Sequence, residues 1–218
     1  MWYNRKIIKQ DFKYRKGIFK REIIIKMELN SMKYDEEIIS AQNKYKKESV
    51  GDVYNGYLIK EVEFKFKKFS FFNDKISIYL PENFNDLPEA IAKIKYPSEN
   101  RPQIIKSSND NRINIAFNLL QVEMKNEDVI GTIHSFKNII KNINPSNNFI
   151  DEGTIEISEN HKLAWFDFLS NAIDGTLYTI ISCMEVDGKM LHCVFNCSDE
   201  DMNNWKVVAL DMLKSINI

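Results

Sequence analysis

The chain has 218 residues, 44% hydrophobic and 28% charged, with a net charge of −1. That is the balance of an ordinary globular protein, long enough to bury roughly 70% of its unfolded surface without staples, and it excludes a whole-protein field that selects an anionic or cationic partner. Three closely placed cysteines are too few for a disulfide framework and point to a reducing, cytoplasmic setting.

The near-zero total hides an asymmetry. Residues 1–50 carry 13 Lys/Arg against 7 Asp/Glu, about +6, whereas residues 51–218 carry 17 against 24, or −7. Residues 1–57 read as a basic extension and 58–218 as a single domain. No signal-length apolar region follows the basic start, because Ile23-Ile24-Ile25 is interrupted by Lys26. No 18-residue apolar run offers a membrane span. Met27 and Met32 are candidate translation starts, since Lys20-Arg21-Glu22 is what a purine-rich ribosome-binding site becomes when translated; this puts the native presence of residues 1–31 in question. The other reading is a genuine arm that touches nucleic acid or acidic lipid. Richness in Lys, Asn and Ile points to an AT-rich bacterial genome.

The body opens with Val62, Phe64 and Phe66 alternating with charged residues, the period of a half-buried strand. The apolar parity then slips to Phe69 and Phe71, which predicts a β-bulge near Lys67-Lys68. A two-residue turn at Asn73-Asp74 pairs Phe71 with Ile76 and Phe69 with Ile78. Pro81 ends the second strand, and Asp86-Leu87-Pro88-Glu89 starts a short helix that runs to about Ile94. Strands follow at Gln103–Lys106 and Arg112–Leu120. In the second of these, Ile113, Ile115, Phe117 and Leu119 share one face; Asn114, Ala116 and Asn118 share the other, which predicts a wet or sparsely covered face. Asn126 caps a helix whose buried stripe is Val129, Ile133, Phe136, Ile140 and Ile143, stopped by Asn144-Pro145. Phe149–Ser158 is a weaker strand, and His161–Cys197 is a three-stranded meander. Ser198 opens a last helix with acids in its first turn and a stripe of Met202, Trp205, Ala209, Met212 and Ile216. The tally is an α+β domain: a mostly antiparallel sheet of about six to eight strands with three main helices packed on it.

The meander gathers all three cysteines and two of the three histidines. A tight Asp187-Gly188 turn sets Val186 opposite Lys189, Cys183 opposite His192 and Ser182 opposite Cys193. Cys183 and Cys193 then point to opposite faces, and Cys193 and Cys197 sit roughly 13 Å apart. No metal set results, because two ligands do not make a structural zinc site. The cysteines read as small core hydrophobes; the alternative is a Cys183–His192 dyad for nucleophilic catalysis. Asp167, between Phe166 and Phe168, and Asp174 in the following turn are candidate acid–base carboxylates of a small hydrolase, or else a wet-face residue and a turn residue. No phosphate loop or hydrolase motif occurs, so no cofactor is implied.

Four of the five prolines lie between positions 81 and 102. Pro97 and Pro102 bracket a stiff polar loop that holds Tyr96, Glu99 and Arg101 as candidate binding residues; the other reading is a rigid crossover whose Arg101 pairs with a local acid. From Phe64 onward, the Phe69-Ser70-Phe71 hairpin into Ile78-Tyr79-Leu80-Pro81-Glu82-Asn83-Phe84, the Trp165-Phe166-Asp167-Phe168 strand, and Phe195-Asn196-Cys197-Ser198 running into a Trp205 helix with Ser215-Ile216 at its end resemble the PsbP-like family. That family takes in DcrB-type domains and the Ran-binding Mog protein. The resemblance implies an α/β/α sandwich and a binding or assembly role with a protein partner, and it carries no functional residue. The leading expectation is therefore a non-catalytic protein-binding module, with a small hydrolase and a nucleic-acid-associated protein as alternatives.

Overall fold

The structure is a computed structural model that describes residues 49–172 and 175–218. Residues 1–48 of the basic extension, and Asp174, lie outside the described residues. The described residues belong to one compact unit, Lys47–Ile218. Its first strands, β1 (Ser49–Asp52) and β2 (Gly56–Ile59), begin ahead of the Leu58 boundary expected from the sequence.

With β3 (Val62–Phe64) these strands form a small antiparallel sheet, and β4 (Phe66–Phe71) with β5 (Ile76–Pro81) forms a separate hairpin. The β4–β5 ladder is regular from Phe66 to Phe71, with Phe71 opposite Ile76 and Phe69 opposite Ile78. The expected bulge at Lys67-Lys68 is therefore absent from this ladder. The parity slip has another cause: the chain leaves one sheet after Phe64 and enters another at Phe66. The connecting turn spans Phe72 to Lys75 rather than two residues, and Phe72, Asn73 and Asp74 all adopt positive φ. The register is the expected one because a symmetric four-residue loop has the same centre.

After β6 (Asn85–Asp86) come α1 (Glu89–Lys95), β7 (Ile104–Ser107) and β8 (Asn114–Glu123). A 3-10 turn (Asn126–Asp128) leads into α2 (Val129–Ile143). Then follow β9 (Asn148–Ser158), β10 (His161–Ala172), β11 (Gly175–Val186), β12 (Lys189–Ser198) and α3 (Asp199–Lys214). The main sheet has the order β6-β7-β8-β12-β11-β10-β9, and every neighbouring pair is antiparallel. The meander register is the one the Asp187-Gly188 turn dictates; both residues have positive φ, as a two-residue hairpin turn requires.

Side-chain alternation gives the sheet two faces. One is covered by α3 and the two small sheets, and it holds the larger core: Ile115, Phe117, Leu163, Trp165, Ile180, Phe195 and Trp205 among others. Asp211 of α3 accepts hydrogen bonds from the Val53 N–H and the Tyr57 hydroxyl, each at 3.0 Å, which fastens the β1–β2 hairpin to the helix. The backbone pairing of Ser77 with Asn217 fastens β5 to the C-terminal segment.

The opposite face carries α2 over β10 and β11, with Val129, Ile133, Ala164, Phe166 and Cys183 in its core. The stripe of α2 is buried at Val129 and Ile133 and half-buried at Phe136 and Ile140; Ile143 is 78% exposed, against expectation. A straight helix laid on a twisted sheet diverges from it along its length, so the last turn loses its floor. At the other end of the same face, α1 covers Ala116 and Ile105 with Leu87, Ile91, Ala92 and Tyr96. The face expected to be wet at Asn114, Ala116 and Asn118 is thus closed at the first two, which are essentially inaccessible, while Asn118 is half-buried. Among the described residues no helix is long and apolar enough to cross a membrane.

Candidate binding cleft and its surroundings

Helix α1 ends at Tyr96, whose N–H still bonds to the Ala92 carbonyl. The Tyr96 ring turns inward, toward the sheet, and does not stand on the loop surface with Glu99. A chain of buried polar side chains receives it. Ser107 Oγ donates to Asn114 Oδ1 at 2.9 Å, Asn114 Nδ2 donates to Asn196 Oδ1 at 3.1 Å, and Asn196 Nδ2 donates to the Tyr96 oxygen at 3.1 Å. The asparagines on β8 and β12 are therefore each other's partners, which removes the cost of burying them. Glu99 is exposed and Arg101 half-buried. The Glu89 carboxyl is held below the usual carboxylate range, first by the Lys93 ammonium at 2.7 Å and last by the charge of Arg101. Of the three residues expected in the loop, only Tyr96 enters a cleft, which lies between α1 and the facing ends of β11 and β12.

The meander does not build a thiol site. Cys183 and His192 are opposite one another in the ladder, but their side chains go to different partners. Cys183 Sγ points under α2 toward the Val129 carbonyl at 3.7 Å, and His192 meets the Phe136 ring edge-on at 5.5 Å. Burial pushes the Cys183 thiol up to about 12 and lowers the imidazole, the reverse of what a thiolate–imidazolium dyad needs. Burial likewise raises Cys193, to about 12, and Cys197. Iodoacetamide at neutral pH should accordingly label none of the three cysteines in the native chain and all three in denaturant, read by intact mass. Rapid native labelling of Cys183 would reinstate the dyad. Among the described residues no three His, Cys, Asp or Glu side chains gather as a metal would require.

Asp167 is neither on a wet face nor free for acid–base work. It is fully buried beneath α3, while Phe166 and Phe168 point to the other face against Phe149. Its Oδ2 accepts from the Tyr178 hydroxyl at 2.6 Å and lies 2.7 Å from Lys206 Nζ. Its Oδ1 accepts the Asp151 N–H at 2.7 Å. That N–H sits beside a bulge: Asp167 pairs with Asp151 and Phe168 with Phe149, so Ile150 is the extra residue. Burial, then the hydrogen bond and charge of Asp167, raise the Tyr178 phenol and keep it a donor. Lys206 also lies 5.4 Å over the Trp165 ring, and Gly153 opposite leaves room for that indole, since a Cβ there would stand 3.2 Å from its nitrogen.

No family model and no curated protein matches this sequence. Among solved structures, the chain is similar to cyanobacterial PsbP (CyanoP) from Synechocystis, with a TM-score of 0.51 and 10% identity over 70% of this chain and 92% of that one. The fold is PsbP-like. The chain is also similar, more distantly, to a Bacteroides thetaiotaomicron structure (TM-score 0.45, 10% identity, 69% of this chain and 47% of that one) and a Pseudomonas aeruginosa protein of unknown function (TM-score 0.39, 9% identity, 69% and 94%). In this PsbP-like fold the antiparallel sheet lies between helices on both faces, and α1 packs at one end of the face that α2 covers.

Proposed function

We propose that this domain is a non-catalytic protein-binding or assembly module of a bacterial cytoplasm, and that its contact surface is α1 with the loop after it. The supporting observation is Ile94, 79% exposed on a helix whose Ala92 and Tyr96 are anchored beneath it. An apolar side chain held out on a fixed platform, with Glu99 and Arg101 following on a Pro-bracketed loop, has the anatomy of an interface anchor with a polar rim. Pro97, Pro102 and the Asn100 N–H to Ser98 Oγ bond (3.1 Å) limit the loop's freedom, so little entropy is lost on docking. The catalytic alternatives at Cys183 and Asp167 lose support from the burial of both groups. Free thiols at Cys183, Cys193 and Cys197 support the reducing location.

A photo-crosslinking residue at position 94 of the full chain, expressed in its native host, should capture a defined protein. Capture should fall about tenfold in Arg101→Glu and be absent with the crosslinker at Val122. A lone monomer at both positions overturns the reading.

A further inference from the structure

The cleft beside Tyr96 has a volume of about 460 Å3, within the roughly 300–1,000 Å3 of small-molecule sites. Its apolar walls include Leu177 of β11 and Val194 of β12, and its rim carries Lys95 and Arg112; among the described residues none of the lining is acidic.

The hydrogen-bond ledger of the cleft is one-sided. Asn196 has its oxygen occupied by Asn114 and gives a proton to Tyr96. Tyr96 therefore receives a hydrogen bond and keeps its own proton to give. Among the described residues no acceptor takes that proton, nor that of the Thr179 hydroxyl, on a residue only 7% exposed. Lys95 gives one of its three protons to the Asn111 carbonyl. The Arg112 guanidinium stands 3.7 and 3.9 Å from Asp201 and Glu200, beyond hydrogen-bonding distance. Asp201 is already engaged by Lys60 at 3.1 Å and Ser198 Oγ at 2.9 Å. The acids behind the two cations (Asp110, Glu200 and Asp201) do not line the cleft. Among the described lining residues, two cations and two hydroxyl donors thus keep capacity over an apolar floor.

We infer that this cleft binds an organic anion, its carboxylate or phosphate head held by Lys95, Arg112 and the Tyr96 hydroxyl and its apolar body laid on Leu177 and Val194. The inference does not rest on the protein-binding reading, whose anchor Ile94 and loop residues Glu99 and Arg101 lie outside the cleft.

The test is titration of the full chain with octanoate, octyl phosphate, octanamide and octylamine, followed by amide NMR shifts. At least one of the two anions should bind saturably, moving the Tyr96, Thr179 and Val194 amides. It should bind at least about tenfold more tightly than octanamide or octylamine, and the tighter of the two anions names the head group. Arg112→Glu should weaken it about tenfold and Tyr96→Phe severalfold, with Arg101→Glu unchanged as the control outside the cleft. Tyr96→Phe leaves Asn196 Nδ2 without its acceptor and Arg112→Glu sets a carboxylate beside Glu200 and Asp201, so a urea melt of each variant accompanies the titration and the binding comparison is made below the unfolding transition. Anion binding no tighter than that of octanamide, binding unaffected by Arg112→Glu, or no saturable binding by either anion overturns the proposal.

Discussion

Lys206→Met should lower the stability of the domain by about 3–5 kcal/mol, the range seen when one partner of a buried ion pair is removed. Against a total of roughly 5–15 kcal/mol this approaches unfolding, and the melting temperature should drop on the order of 10 °C. Asp167 is fully buried, and the Lys206 side chain is only 23% exposed, so water does not replace the lost ammonium. The Tyr178 hydroxyl and the Asp151 N–H remain, but they are dipoles facing a full charge. A second variant separates pairing from packing. Asp167→Asn in the Lys206→Met background removes the orphaned charge yet keeps an oxygen for the Asp151 N–H. It should recover more than half of the loss in urea melts. A single-variant loss below about 1 kcal/mol would mean that the pair behaves as a solvated surface bridge.

The same carboxylate shows where sequence reading stops. The alternation around Asp167 assigns it correctly to the Leu163–Trp165–Leu169 face, but whether that face is wet depends on Lys206, on a helix 39 residues further along the chain. The asparagines of β8 fail for the same reason, because Asn196 lies 82 residues beyond Asn114. Local geometry was legible. The Asp187-Gly188 turn dictates the Cys183–His192 register, and the Phe69–Ile78 pairing follows from the turn centre. Which sheet that hairpin joins is not a local property, and so a change of sheet carries the same parity slip as a bulge, while the bulge at Ile150 leaves no mark in the pattern. In the candidate site, the prolines mark the loop, but the inward turn of Tyr96 is decided by Asn196, and the cleft floor by alternate residues of two strands that meet only when folded.

Trp205→Ala should cost about 3–5 kcal/mol, the range for truncating a buried large aromatic. Trp205 is 3% exposed and touches three separate pieces of the fold. Phe64 of β3 meets it edge-on at 5.3 Å, Phe84 of the segment after β5 stacks at 6.0 Å, and Phe195 of β12 stacks at 6.4 Å. The indole thus joins the small three-stranded sheet and the segment after the β4–β5 hairpin to the main sheet through α3. Its loss removes dispersion contacts from all three at once, and a rigid sheet does not collapse to fill the space. The loss should also be uneven. Among the described residues Phe64 has no second aromatic partner, whereas β10 and β11 keep their own ladder and the core under α2. Hydrogen exchange in Trp205→Ala should accelerate first across β1–β3 and last across β10–β11, a difference that local opening free energies make visible. Trp205→Phe, which keeps an aromatic ring at the junction, should retain the wild-type exchange order. Uniform acceleration over every strand would show that the small sheet does not depend on this residue for its docking.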